Sequence, residues 1–211
     1  MSDLSRRAFL AGTSLVVVAK SSLAIPSVAW SAPKTGVAAP VFTATDTGGK
    51  AVSLGDQHGK IVVLEWTNHD CPYVRKHYDT GNMQALQKEA TGHGVVWLTI
   101  ISSAPGTQGY VNPREADELT TTRKAAPTAV LLDPTGVVGK MYGATNTPHM
   151  YVIDKAGTLM YAGAIDDRPT TRRGDVQGAH NYVREALQAV AAGQLVKMPV
   201  TRAYGCTVKY S

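Results

Sequence analysis

Ile61-Val62-Val63-Leu64-Glu65-Trp66, followed after four residues by Cys71-Pro72-Tyr73-Val74-Arg75-Lys76-His77, is the stretch that decides the fold of this chain. The first run is apolar on both faces of an extended chain, the signature of a strand buried in the middle of a parallel sheet. The second opens a helix, with Pro72 at the first helical position, where the missing N–H costs nothing. A cysteine at such a strand-to-helix junction faces unpaired amide N–H groups and the positive end of the helix dipole, which favour thiolate over thiol. The plain alternative for Cys71 is a small buried hydrophobe. Pro72 and the nearby His69, Arg75 and Lys76 favour the anionic sulfur.

Outward from this junction the chain alternates strands and helices. On the N-terminal side, Val41 to Thr45 and Ala51 to Leu54 flank the turn Thr47-Gly48-Gly49-Lys50 and predict a hairpin. On the C-terminal side the helix runs from Pro72 to about Ala90, with an interruption at Asp79-Thr80-Gly81-Asn82. A strand follows over Val95 to Ser102. Asn112 and Pro113 then cap and open a helix to about Lys124. Next come a strand over Thr128 to Asp133, a short helix over Val137 to Tyr142, and two strands flanking the turn Lys155-Ala156-Gly157. A polar loop from Asp166 to Asp175 precedes an amphipathic helix over Gln177 to Ala192. Parallel strands joined by helices and closed by an antiparallel hairpin argue an α/β sheet covered on both faces.

Ser5-Arg6-Arg7-Ala8-Phe9-Leu10 and the short apolar run after it have the pattern of a twin-arginine export signal, so residues 1–31 are set apart from the domain, 32–211, whose C-terminal tail begins near 194. The apolar run is too short, and too interrupted by Lys20 and Pro26, to span a bilayer comfortably, and no stable membrane insertion is expected; an uncleaved segment serving as an anchor is the alternative. A periplasmic or other extracytoplasmic location follows. Loss of Arg6, Arg7, Lys20 and Asp3 would lower the formal charge from +5 to +3. With no basic run or stripe, that mild charge gives no case for nucleic acid. Both cysteines, Cys71 and Cys206, remain in the domain, where an oxidising compartment would let them persist as a disulfide or cycle through one.

The element order, the cysteine at the first strand-helix junction and Thr147-Pro148 at the start of the hairpin resemble the thioredoxin fold. More narrowly the chain is similar to the redoxin group of alkyl hydroperoxide reductases and thiol-specific antioxidants. The likeness covers roughly Val37 to Ala192, and the Gly205-Cys206 tail resembles that of a peroxiredoxin-like subgroup. It implies a thioredoxin-like, peroxiredoxin-like sandwich with a central mixed sheet and helices on both faces, and a cis peptide at Thr147-Pro148 facing the reactive cysteine. Peroxiredoxins carry Pro-x-x-x-Thr-x-x-Cys; here Cys71-Pro72 matches, Asn68 stands in the threonine position and Leu64 in the first proline position. The Cys-x-x-Cys pair of thioredoxins is absent, since Val74 stands three residues after Cys71, and Cys206 is the other thiol of the chain.

The resemblance implies a thiol peroxidase in which Cys71 attacks a hydroperoxide, Cys206 resolves the sulfenic acid, and an external thiol protein restores both, with no cofactor. Asn68 and Arg75 would orient and stabilise the peroxide oxygens, while Pro72, Pro148, His149 and Trp66 would line its pocket. Cys206 is equally read as a static structural partner or an unpaired thiol; closing a loop of about 136 residues would stabilise the chain by roughly 5 kcal/mol in the chain-entropy model. His149, next to Pro148, is the histidine expected to face Cys71, while His69 and His77 are read as ordinary packing or surface residues unless they help lower the thiol pKa. Tyr73 and Tyr78 are candidate pocket residues, and Arg168 a second candidate cation. Two rival functions stay open: a thiol-disulfide oxidoreductase acting on exported proteins, and a copper-binding chaperone using His69, Cys71, His77, His149 and Cys206.

Overall fold

Alternation in Val62–Trp66 turns Val62, Leu64 and Trp66 to one side of the sheet and Val63 and Glu65 to the other, and all five are buried. The computed structural model describes residues 32–211, and the export signal expected over residues 1–31 lies outside the described residues. Among the described residues no helix is long and apolar enough to cross a membrane.

In chain order the elements are β1 (Thr43–Asp46), β2 (Ala51–Ser53), β3 (Val62–Trp66), α1 (Pro72–Asp79), α2 (Asn82–Gly92), β4 (Val96–Ile101), α3 (Pro113–Thr122), β5 (Ala129–Leu132), α4 (Val137–Tyr142), β6 (Asn146–Thr147), β7 (His149–Ile153), β8 (Leu159–Gly163), α5 (Tyr182–Ala191) and β9 (Cys206–Thr207). Seven strands form one mixed sheet in the order β2-β1-β5-β4-β3-β7-β8. Strands β3, β4 and β5 run parallel at its centre, and the β7–β8 hairpin adds antiparallel on one side. The N-terminal hairpin joins the other side through an antiparallel β1–β5 pair. This is the mixed α/β sheet expected from the element order.

Helices α1, α2 and α5 press Val74, Met83, Leu86, Val183 and Ala186 onto the sheet face that carries Val63, Trp97, Met150, Val152 and Tyr161. On the same face α3 sets Ala116 against Ile101 and Val130. The opposite face carries Leu64, Trp66, Leu98, Tyr151 and Ile153 and is covered by α4, through Val138 and Tyr142, together with Phe42 and Leu54. The helix expected over 72–90 breaks at Thr80-Gly81 as the sequence signals, and the α3 start is a complete capping box, Asn112 with Glu115. The last helix starts later than expected, at Tyr182 rather than Gln177. Asn181 is its cap, its side-chain oxygen accepting the Arg184 amide at 2.9 Å, and a short 3-10 turn occupies Arg173–Val176.

Beneath α1 and α2 lies a fully buried carboxylate. Glu65 accepts hydrogen bonds from the Tyr78 hydroxyl (2.8 Å), Gln87 Nε2 (3.0 Å), Trp97 Nε1 (2.8 Å) and the Thr99 hydroxyl (3.1 Å). Burial raises its pKa, and the donors from Trp97, Tyr78, Gln87 and Thr99 oppose the rise. One side chain thereby ties β3 to α1, α2 and β4.

The C-terminal tail does not trail into solvent. Its Pro199 carbonyl accepts the Ala162 amide (3.0 Å), and the Thr201 amide donates back to the Ala162 carbonyl (3.1 Å) along β8. It then crosses the end of the sheet, where β9 pairs antiparallel with β6, placing Cys206 opposite Thr147. The Lys209 carbonyl accepts the Ala104 amide at 2.8 Å, and the Tyr210 hydroxyl donates to the Ala144 carbonyl at 2.6 Å.

Candidate active site at the end of the central strand

Cys71 is the N-cap of α1, with extended backbone angles. Its preceding turn is built by Asn68, whose side-chain oxygen accepts the Asp70 amide (2.9 Å) and whose carbonyl accepts the Cys71 amide (3.1 Å). Thus Asn68 folds back on its own loop. The other end of its amide donates to the Gln108 carbonyl at 3.3 Å and packs against Gly109, where any Cβ would fall 2.3 Å from Asn68. It shapes the loop that delivers Cys71.

The sulfur has two polar neighbours. It donates to the Thr147 carbonyl at 3.1 Å, and it accepts the Cys206 amide at 3.4 Å. Thr147-Pro148 is a cis peptide, as expected. Both cysteines are free thiols. The Cys206 side chain packs against the buried cluster that holds Cys71, and burial, with the neighbouring Cys71 adding to it, pushes the Cys206 thiol up to about 11. Gly205 is what lets the tail come this close: it has φ +122°, and a Cβ there would lie 2.0 Å from the Thr147 carbonyl oxygen. With the tail in this place Cys71 is 0% exposed.

The structure therefore brings Cys71, Cys206 and the Thr147-Pro148 peptide together, and Pro72 opens α1 beside them on the exposed surface. It does not bring the remaining candidates to the sulfur. Trp66 and His149 are register partners on adjacent strands, and both side chains point to the opposite face of the sheet, away from Cys71. Trp66 donates its indole N–H to Ser102 Oγ at 3.0 Å. His149 stacks on Tyr151 with ring centroids 4.6 Å apart and is 9% exposed. Strand parity is the reason: a residue directly after Pro148 on β7 faces the side of Tyr151 and Ile153, while Met150 and Val152 face the cysteine. Arg75 lies on the exposed side of α1 and makes no side-chain hydrogen bond or ion pair among the described residues. Arg168 contributes its carbonyl rather than its guanidinium, accepting Lys76 Nζ at 2.7 Å. His69 sits in the loop, its carbonyl accepting from Arg123 at 3.0 Å. Tyr78 is committed to Glu65, and Tyr73 packs against Tyr204 of the tail. The five cysteine and histidine side chains considered for copper are not gathered, and no group of three or more His, Cys, Asp or Glu with metal-holding geometry occurs among the described residues.

Four residues matter here that the linear pattern did not single out for this role: Lys76, His77, Asp166 and Tyr204. Lys76 and Asp166 are buried side chains, with Nζ 3.6 Å from Oδ2. His77 is buried next to them, and burial together with Lys76 holds its pKa down at about 3. The signal for Lys76 and His77 was the helix period, since both fall on the side of α1 that the tail covers. No linear signal connects residue 204 with residue 76.

His149 offers a separate check on this geometry. Burial lowers its pKa to about 4 from an ordinary 6.5. A base whose folded pKa is depressed adds stability above its unfolded pKa, and that stability is lost as pH falls from about 6.5 through 4. The expected loss is on the order of 3 kcal/mol. Urea unfolding at pH 7 and pH 4 should show wild type losing ground to His149→Phe, which keeps the ring stacking and removes the titration; parallel pH profiles would contradict this placement.

A family model described as the AhpC/TSA family matches residues 35–162, more than half of the chain and inclusive of Cys71 and Pro148. The chain belongs to the AhpC/TSA family. It is thus a thioredoxin-fold redoxin, and the matched span contains the β3–α1 junction and the cis-proline turn. No curated protein matches it. Among solved structures, an uncharacterized conserved protein from Geobacillus kaustophilus is 25% identical with TM-score 0.74, over 90% of this chain and 98% of that one. A hypothetical protein from Sinorhizobium meliloti is 22% identical with TM-score 0.73, over 86% of this chain and 97% of that one. A protein described as a candidate thiol:disulfide interchange protein, DsbE, from Chlorobium tepidum is 22% identical with TM-score 0.50, over 61% and 84%. The AhpC/TSA match ends before the tail, so Cys206 and Tyr204 lie beyond the part of the chain that the family model describes.

Proposed function

We propose that this AhpC/TSA protein is an exported thiol peroxidase in which Cys71 and Cys206 form one redox couple. The observation that carries the reading is the closeness of the two cysteines: the tail delivers the Cys206 amide to within 3.4 Å of Cys71 Sγ, in antiparallel register with Thr147. In the proposed cycle the Cys71 thiolate attacks the outer oxygen of a hydroperoxide. The O–O bond breaks, the hydroxyl stays on Cys71 as a sulfenic acid, and the alkoxide leaves as the alcohol by taking up the proton that Cys71 gave up on ionising. The Cys206 sulfur then attacks Cys71, the S–O bond breaks, water leaves and a disulfide forms. A dithiol protein reduces that disulfide by exchange and is itself oxidised. The Cys206 N–H points at Cys71 Sγ from 3.4 Å, where it can hydrogen-bond the sulfur during the reaction. Export rests on the Arg6-Arg7 pattern and suits a couple that needs an oxidising compartment.

A second reading has its own support. Asn68 is turned into its loop and Arg75 into solvent, so the groups expected to orient a peroxide do not reach the sulfur, whereas backbone and thiol do; that arrangement suits exchange with a protein disulfide. Stopped-flow oxidation of Cys206→Ser separates the two. On the peroxidase reading Cys71 reacts with hydrogen peroxide well above the rate of free cysteine, and its sulfenic acid accumulates and is trapped by dimedone. A peroxide rate no greater than that of free cysteine, together with a mixed disulfide to a reduced or scrambled protein substrate, would instead support exchange.

A further inference from the structure

The hydroxyl of Tyr204, two residues before Cys206, is fully engaged by groups of the domain body. It donates to Asp166 Oδ1 in a short hydrogen bond. It accepts from Lys76 Nζ at 3.3 Å and pairs with His77 Nε2 at 3.2 Å. Asn82 Nδ2 donates to His77 Nδ1 at 2.9 Å, which fixes the neutral ring with its proton on Nε2, so His77 also donates to Tyr204. One phenolic oxygen therefore receives two hydrogen bonds from α1 and gives one to the loop after β8. Lys76 Nζ lies 5.2 Å from the Tyr204 ring centroid, and Tyr73 packs on the same ring. The flanking tail residues are held as well, by the two-residue β6–β9 pair, by Asn146 Nδ2 donating to the Gly205 carbonyl at 2.9 Å and by Thr201 Oγ1 accepting the Ala164 amide at 2.9 Å. Tyr204, however, is the side chain of the tail that hydrogen-bonds α1, and a cleft of about 550 Å³ lined by Asn146, Asp166, Arg202 and Tyr204 runs alongside it.

We infer that Tyr204 is a positioning residue: its seating among Asp166, Lys76 and His77 latches the tail shut, and so decides whether Cys206 lies on Cys71 or Cys71 is open to an outside reactant. The three receptors come from α1, which Cys71 caps, and from the segment next to β8, where the tail begins its crossing. Seating the phenol therefore sets the path of the chain through Gly205 to Cys206. Lifting it leaves Lys76 and Asp166 with each other at 3.6 Å, a buried pair that has lost its bridging hydroxyl. For its role in turnover the latch rests on the two-cysteine cycle proposed above; as a gate on Cys71 it stands without it.

The test is site-resolved alkylation of the reduced full-length protein by iodoacetamide, read by peptide mass spectrometry, with no peroxide present. Tyr204→Phe keeps the ring and removes the hydroxyl, and should raise the Cys71 labelling rate at least about tenfold, given the charged hydrogen bonds lost. Lys76→Met should raise it likewise, and the double variant should add little to either. Gly205→Ala, which drives the tail from Thr147 by collision, marks the rate with the tail open. Hydrogen exchange should speed up in residues 200–209 of Tyr204→Phe and stay unchanged in β3 and β4. Cys71 labelled at the wild-type rate in Tyr204→Phe, or exchange accelerated throughout the sheet, would overturn the latch. Faster labelling combined with no fast peroxide reaction would leave the latch standing and remove the peroxidase reading.

Discussion

Cys71→Ser should lose redox turnover toward hydroperoxide and toward protein disulfide alike, by at least about a thousandfold, because a serine hydroxyl cannot supply the thiolate nucleophile. The same variant should fold. Serine fits the N-cap of α1, and its hydroxyl can donate to the Thr147 carbonyl as the thiol does at 3.1 Å. Unfolding free energy should therefore stay within about 1 kcal/mol of wild type. Cys206→Ser should behave differently, keeping the first oxidation of Cys71 and losing the disulfide. Equal loss of the first step in both variants would mean that Cys206 is not a second-step thiol.

Glu65→Ala should be the most damaging substitution for stability. It removes the acceptor for Tyr78, Gln87, Trp97 and Thr99, which converge on one carboxylate in a site with no solvent. Stripping a buried network of its centre leaves those donors unpaired and opens a cavity. The expected cost is about 3–5 kcal/mol, against roughly 5–15 kcal/mol for a whole domain. Denaturant midpoints measured on wild type, Glu65→Ala and Glu65→Gln check it. Glutamine keeps one acceptor oxygen and should recover part of the loss. A Glu65→Ala midpoint near wild type would mean that water takes the carboxylate's place without cost.

Much of this architecture was legible in the chain. The β3–α1 junction, the break at Thr80-Gly81 and the Asn112 cap all rest on local rules of period and capping, and local rules are what a sequence displays, whereas the cis bond at Thr147-Pro148 was expected from the family resemblance. The site was legible where it is local as well: Cys71 at the helix start needs only the strand before it and the proline after it. It was obscure where it depends on sheet parity or on distant pairing. Trp66 and His149 stand close to Cys71 and Pro148 in the chain, yet alternation turns both to the far side of the sheet. Arg75 is one turn from Cys71 but on the solvent side of α1, while its neighbour Lys76 is buried against Asp166, the Arg168 carbonyl and Tyr204. The meeting of Tyr204 with Asp166, and of Cys206 with Cys71, joins positions tens of residues apart through a tail that has almost no regular structure to announce its path. The late start of α5 was a milder case, since the apolar period continues upstream of the Asn181 cap and only the capping geometry ends it.

Cys71 and Cys206 are proposed to work as a pair. The most direct test is peptide mapping of the reduced wild-type protein under non-reducing conditions, before and after one equivalent of hydrogen peroxide. Two free thiols are expected beforehand and one linked Cys71–Cys206 peptide afterwards, reversed by a dithiol. Peroxide that leaves Cys206 as a free thiol while Cys71 goes to sulfinic acid, or leaves both untouched, would contradict it.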